Sequence, residues 1–236
     1  MMSTAVATGR RREAPRFAPV AHEALPTRAK PSPQLRMAHN PDDPRCERIR
    51  ALRTELLLRR REVERAEFVV LLSPCSGEGR SQLAAELAIA FSQLGRTLLV
   101  DADMRHPIQH ALFGADNRDG LSRAIAGNRT PCLHAVEGLP ELFLLTAGPA
   151  PINPLELVLN NFFAWLIEAW RRDYEFVVMD TAPVQHYSDG LAIANLAGSV
   201  LALSRAQHTP YRETRDMLRR LATTQAQVLG AVISHF

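Results

Sequence analysis

Three short, almost wholly apolar runs each end abruptly on polar groups. Phe68–Leu72 passes into Ser73-Pro-Cys-Ser-Gly-Glu-Gly-Arg-Ser81, Thr97–Val100 into Asp101, and Glu175–Met179 into Asp180. Runs that are apolar on consecutive rather than alternate residues are strands covered on both faces, the form taken by parallel sheets. In an open parallel sheet the carboxyl ends of the strands line one crevice. The three polar ends therefore converge. Further strands are expected at Leu142–Thr146, Val200–Ser204 and Val228–Ser234, and helices over 81–94, 154–172, 191–196 and 210–224. Leu83, Leu87, Ala90, Phe91 and Leu94 share one face of the first of these helices, and Gly95 is its natural stop. This alternation predicts one α/β domain, a mostly parallel sheet with helices on both faces.

The beginning of the chain reads differently. Residues 1–44 hold seven of the sixteen prolines and little apolar periodicity. They read as a disordered Pro/Arg-rich arm, removable without loss of stability, ahead of a domain at 45–236. Asp43 and Pro44 suit the N-cap and first position of a helix running from Cys46 to Glu67, with Ile49, Leu52, Leu56 and Val63 at helical spacing. Residues 1–66 carry a net charge of +7 and the remainder −4, so the overall +3 hides a basic N-terminal third. Such a segment suits an acidic surface, anionic headgroups or nucleic acid, or is a solvated tail. No apolar run reaches the roughly 18–20 residues a spanning helix needs, and no signal-peptide pattern opens the chain, so a cytoplasmic location is expected. Cys46, Cys75 and Cys132 form no CxxC pair and are expected to be reduced thiols.

The segment after the first strand has the context of a phosphate loop. Gly77 and Gly79 let backbone N–H groups turn inward, and a helix N-terminus follows. Ser81 stands where such a loop places its magnesium-ligating hydroxyl. Pro74 occupies the usual first glycine position and Arg80 the usual lysine. Of 28 basic residues only Lys30 is a lysine, so Arg80 is either a compositional exchange or an altered site. Asp101, Asp103 and Asp180 beside a phosphate loop call for a cation, and Mg²⁺ is the expected one. Taken alone, the loop could be a glycine turn and each aspartate a helix cap; three in register favour nucleotide binding.

The segments SPCSGEGRS (73–81), LLVDADMRHP (98–107), HALFG (110–114), GLSRAIAG (120–127), LLTAGPAPINPLEL (144–157) and FVVMDTAP (176–183) resemble the bacterial tyrosine kinases of exopolysaccharide loci, relatives of the Min/Par-type P-loop ATPases. The similarity covers about residues 47–235. It implies a P-loop NTPase fold, ATP and Mg²⁺ as cofactors, and nucleotide contacts from Ser76, Gly77, Glu78, Gly79, Arg80, Ser81 and Gln82. It further implies metal binding by Ser81, Asp101 and Asp180, and catalytic roles for Asp101, Asp103 and Arg80. Asp189 matches the aspartate that the family places after the Asp180 strand. Glu47, Arg50 and Arg53 resemble the family's ring-assembly motif, or form a surface ion-pair stripe. The implied partner is a membrane-embedded polysaccharide chain-length determinant that holds the chain at the inner membrane; nucleic acid is not expected. Three functions remain open: a protein-tyrosine autokinase regulating chain length, polymerisation and export, a Mg-ATP-binding pseudokinase, or a Min/Par-type positioning ATPase. The sequence lacks the tyrosine-rich tail common in the family, having only Tyr174, Tyr187 and Tyr211.

Overall fold

A computed structural model describes residues 28–59 and 67–235. Among them, eight strands form one sheet in the order β1 (Arg28–Ala29), β4 (His134–Val136), β5 (Leu139–Leu145), β3 (Thr97–Asp101), β6 (Phe176–Asp180), β2 (Glu67–Leu72), β7 (Ser199–Arg205), β8 (Gln227–Ser234). All neighbours are parallel except β4 and β5. The two-residue periodicity of a strand divides the core cleanly. Phe68, Val70 and Leu72 of β2 enter one apolar layer, Val69 and Leu71 the other. The first layer is covered by α7 (Asn161–Asp173), α8 (Asp189–Ala197) and α9 (Tyr211–Leu221), the second by α2 (Pro44–Leu58) and α3 (Arg80–Ser92).

The expected arm is partly built into the domain. Residues 1–27 lie outside the described residues, but Arg28–Ala29 pair with β4, and α1 (Arg36–His39) packs on α3. Ala29 and Leu35 are fully buried, and Met37 nearly so. The Glu86 carboxylate of α3 accepts the N–H groups of Arg36 (2.7 Å) and Met37 (2.9 Å). The boundary at 44 is therefore corrected: residues 28–44 belong to the fold. A few well-placed apolar residues and one buried acceptor hold them, without any periodic pattern. This also explains why α3 is buried almost all round rather than on one face, with Leu94 beyond its end half exposed. A chain beginning at Pro44 loses the burial of Leu35 and Met37, worth about 3–6 kcal/mol together. It should melt roughly 10 °C or more below the full chain; equal melting temperatures in calorimetry would return these residues to an arm.

Other boundaries shift for local reasons. The α2 helix ends at Leu58, capped at its start by Asp43, whose carboxylate accepts the Arg45 N–H at 2.8 Å; Val63 lies outside the described residues. The helix expected over 154–172 is two, α6 (Pro154–Val158) and α7, because the Asn160 side chain caps the second by accepting the Phe162 N–H at 2.8 Å. Gly95 does not cap α3; its lack of a side chain leaves room for the Glu175 carboxylate, which would lie 2.3 Å from a Cβ there.

Candidate functional site

The site forms where β2, β3 and β6 end. Parallel register sets Asp101 directly beside Asp180, and Leu71, one residue before the end of β2, beside Asp180 on its other side. The chain after β2 then turns through the loop into α3. Gly77 (φ 76°) and Gly79 (φ 84°) take left-handed backbone, which glycine adopts without strain. Gly79 is also the N-cap of α3 and offers no side chain to the first-turn N–H groups. Those groups have no acceptor in a preceding turn, so they remain a ready anion site.

The remaining loop residues divide by role. Ser76 is exposed on the loop, and Ser81 and Gln82 are half-buried. The Glu78 side chain is buried and turned away from the mouth: its carboxylate accepts the Cys75 N–H (3.0 Å) and the Thr209 hydroxyl. Glu78 can therefore contribute only its backbone to a ligand. Arg205, at the end of β7, donates to the Gly77 carbonyl at 3.0 Å and holds the loop from the opposite side.

Arg80 points into the acidic cluster. Its guanidinium donates to Ser73 Oγ (2.5 Å) and Asp180 Oδ1 (3.3 Å), and reaches Asp103 Oδ2 at 3.5 Å. The residue is 7% exposed. The cation that the sequence assigned to a metal is thus partly supplied by the chain. Burial, and then the charge of Asp180, hold the Asp101 carboxyl well above the usual carboxylate range. Asp180 is raised by its burial as well, against the opposing pull of Arg80 and the side chains of Gln109 and Ser81. Asp101 Oδ2 accepts the N–H groups of Ile108 (3.1 Å) and Gln109 (2.9 Å), whereas its buried Oδ1 has no hydrogen-bond partner.

Among the described residues no three His, Cys, Asp or Glu side chains stand together as a ready metal cage. Mg²⁺ nonetheless fits the donor set, since it commonly takes one or two carboxylates and completes its shell with phosphates and water. The orphaned oxygen of Asp101, with Asp180 and the Ser81 hydroxyl, provides such a partial set.

Several members of the site were not read from the sequence. Gln109 links the Ser81 carbonyl (2.9 Å) to Asp180 Oδ2 (2.9 Å). Arg105 grips Asp189 through Nε (2.6 Å) and Nη2 (3.2 Å), and its backbone N–H donates to Asp103 Oδ1. Ser73 receives Arg80. Gln109 and Arg105 have no local sequence signal for these roles, because each depends on a partner far along the chain. Ser73 lies in the loop already read, and only its pairing with Arg80, seven residues on, has no such signal. Beside the loop, a cavity of about 470 Å³ lies between α2, the start of α3 and the end of β8, lined by Arg36, Arg45, Arg48, Gln82 and His235 among others. The assembly motif is partly occupied within the chain. Arg50 pairs with Glu47 (3.1 Å), and Arg53 donates to the Ala90 carbonyl (2.7 Å) and Gln93 (3.2 Å), fixing α2 to α3.

No family model matches the chain. It is 36% identical over 197 residues to the putative tyrosine-protein kinase EpsB of Ralstonia solanacearum, covering 82% of this chain but 26% of that protein. The chain thus spans about a quarter of the length of that relative. With the putative tyrosine-protein kinase CapB of Staphylococcus aureus it shares 31% identity over 191 residues, covering 80% of this chain and 83% of that one. Among solved structures, the chimerical protein CapA2B2 superposes with a TM-score of 0.80 at 31% identity, covering 89% of this chain and 93% of that one. The kinase domain of the Escherichia coli tyrosine kinase ETK gives 0.81 at 28%, covering 89% and 82%. The septum site-determining protein MinD of Pyrococcus horikoshii, complexed with Mg-ADP, shares the fold at a TM-score of 0.59 and 17% identity, covering 71% of this chain and 70% of that one. Sequence and architecture together make this chain a member of the bacterial tyrosine-protein kinase family, built on the P-loop NTPase fold.

Proposed function

We propose that the chain binds Mg-ATP across the loop 73–81 and transfers its γ-phosphoryl group to protein tyrosine, as part of the machinery that sets exopolysaccharide chain length and export. The observation that carries this reading is the meeting of an uncapped helix N-terminus at Gly79–Ser81 with Asp101, Asp103 and Asp180 at one end of the sheet. The backbone N–H groups of Gly77–Ser81 hold the phosphates, and the arginine-lined cavity beside Gly79 accepts the nucleoside. Asp101, Asp180 and Ser81 hold Mg²⁺, which when bound supplies positive charge against the phosphate oxygens. Asp103, its Oδ1 fixed by the Arg105 and His106 N–H groups, presents Oδ2, which lies 3.5 Å from the Arg80 guanidinium, to the proton of an attacking hydroxyl. The membrane-embedded chain-length determinant is the proposed partner, and it places the chain on the cytoplasmic side of the inner membrane. Among the described residues no helix is long and apolar enough to cross a membrane.

A second reading, a nucleotide-binding pseudokinase that regulates the partner by assembly, draws on Arg80: a guanidinium held by Asp180 and Asp103 competes with the metal for Asp180. Phosphotyrosine blotting of the full chain after incubation with Mg-ATP, with and without the partner's cytoplasmic segment, separates the two. Phosphotyrosine in either condition supports the kinase; bound ATP with no phosphotyrosine in both favours the pseudokinase.

Assembly through Glu47, Arg50 and Arg53 belongs to the same proposal. Because Arg53 is engaged with α3, the informative change is Glu47→Ala with Arg50→Ala. It is expected to shift sedimentation to a smaller species with the melting temperature nearly unchanged, exposed ion pairs contributing only about 0–1 kcal/mol. An unaltered sedimentation profile would leave the motif a surface stripe.

A further inference from the structure

Resting on the kinase reading, the question of which tyrosine of this chain receives phosphate has a structural answer. Tyr174 is 4% exposed at the end of α7, its ring edge-on to Phe143 and beneath the Arg96 guanidinium, so its hydroxyl is shut inside the core. Tyr211 is 79% exposed at the start of α9. Tyr187 is half-buried and lies on the segment linking β6, which ends at Asp180, to α8. On one side that segment is bound to the phosphate loop: the Val184 and Gln185 N–H groups donate to the carbonyls of Ser73 and Pro74, each at 3.0 Å. On the other it meets the turn that carries Asp103. The Arg105 guanidinium carbon lies 4.0 Å from the centre of the Tyr187 ring while its nitrogens hold Asp189. The N–H groups of Arg105 (3.2 Å) and His106 (3.0 Å) fix Asp103 Oδ1. The segment carrying Tyr187 is thus tied to the loop that would hold the phosphates, and the ring itself lies on Arg105, whose backbone N–H fixes the carboxylate that would take the proton.

We propose that Tyr187 is a phosphoryl acceptor of this chain and that Arg105 receives the product phosphate. In the step, the Tyr187 hydroxyl oxygen bonds to the γ-phosphorus of ATP and the bond from that phosphorus to the β–γ bridging oxygen breaks. ADP leaves with the bonding electron pair, and the phenolic proton passes to Asp103 and on to solvent. The product adds close to two negative charges beside a guanidinium already packed on the same ring. Arginine's planar fork binds phosphate in two parallel hydrogen bonds as readily as carboxylate, so the phosphate competes with Asp189 for Arg105. Modification of Tyr187 would therefore loosen the clasp between α8 and the Asp103 turn.

The test is phosphopeptide mapping by mass spectrometry of the full chain after incubation with Mg-ATP, for wild type, Tyr187→Phe and Tyr211→Phe. ATP affinity is measured in parallel by calorimetry, and transfer to an added Glu-Tyr copolymer is followed in each sample. The expected result is phosphate on Tyr187, at least a five-fold loss of incorporated phosphate in Tyr187→Phe at unchanged ATP affinity, and wild-type incorporation in Tyr211→Phe. Incorporation that survives Tyr187→Phe, or that maps to Tyr211, overturns the assignment. Copolymer phosphorylation with none on the chain overturns it too while leaving the kinase reading intact. Failure of both transfers sinks the two together.

Discussion

Replacing Arg80 by alanine is expected to destabilise the nucleotide-free chain and to make its stability depend on divalent cation. The guanidinium is 7% exposed and lies against Asp180 and Asp103, both buried. Removing one partner of a buried pair leaves carboxylates without a counter-charge, at a cost of about 3–5 kcal/mol. The contacts of 3.3 and 3.5 Å are long, which places the effect near the lower end. For a domain of this size that is a fall in melting temperature of roughly 6–12 °C. Millimolar Mg²⁺ should recover part of the fall in Arg80→Ala and change wild type little, because in wild type the guanidinium already stands among the same oxygens. Arg80→Lys keeps the charge on a more slender side chain and is expected to retain most of the stability and to keep or raise turnover. Differential scanning calorimetry with and without Mg²⁺ provides the comparison. Equal melting of wild type and Arg80→Ala in metal-free buffer would show that the guanidinium does not balance the cluster.

ATP affinity distinguishes the two duties Arg80 can have. If it swings to the phosphates when nucleotide binds, each charge-assisted contact contributes about 1.5–3 kcal/mol. Its loss then weakens ATP binding by roughly ten- to a hundredfold. If it stays on Asp180 and Asp103, affinity changes little and the pseudokinase reading gains.

The second large effect is on chemistry alone. Asp180→Asn is expected to reduce phosphotransfer and ATP hydrolysis at least a hundredfold, or about 2.7 kcal/mol at 1.36 kcal/mol per decade. Its melting temperature should be unchanged or higher. The two outcomes follow from one fact: burial raises the Asp180 carboxyl above its usual range, so the charged form is disfavoured in the folded chain. An amide removes that charge, while Arg80 retains Ser73 and Asp103. Loss of activity without loss of stability is the signature of a group kept for function. Turnover within a few-fold of wild type would remove Asp180 from the site.

The parts of this architecture legible in the sequence are those where local pattern and final environment agree. Strands β2, β3 and β6 are buried on both faces and so read as unbroken apolar runs, and aspartates at the ends of two such runs, in register with a glycine loop after the third, point to the crevice. The Asp43–Pro44 start of α2 was visible for the same reason, its capping chemistry being contained in three residues. By contrast, β1 is two residues long, and α1 is held by Glu86, fifty residues away from Arg36. Nothing in a proline-rich stretch announces that. Strand β5 is legible from Leu142 onward, but its start at Leu139 and all of β4 are not, since a register shift at Ala135/Val136 breaks the alternation a strand reading needs. In the site itself, glycines and carboxylates could be placed by spacing. The direction of the Arg80 side chain and the bridging role of Gln109 could not, because both depend on Asp180 at the end of a distant strand. Nor could the turning away of Glu78, which joins a Cys75 N–H in its own loop to the Thr209 hydroxyl beyond β7.

The central claim is that this crevice holds Mg-ATP through the loop at Gly77–Ser81 and the carboxylates at the strand ends. Calorimetric titration of the full chain with ATP tests it most directly, with and without Mg²⁺, in wild type and in Ser81→Ala. The account predicts saturable one-to-one binding that strengthens with Mg²⁺ and loses that metal dependence in Ser81→Ala. Absence of binding, or binding indifferent to both Mg²⁺ and Ser81, would contradict it.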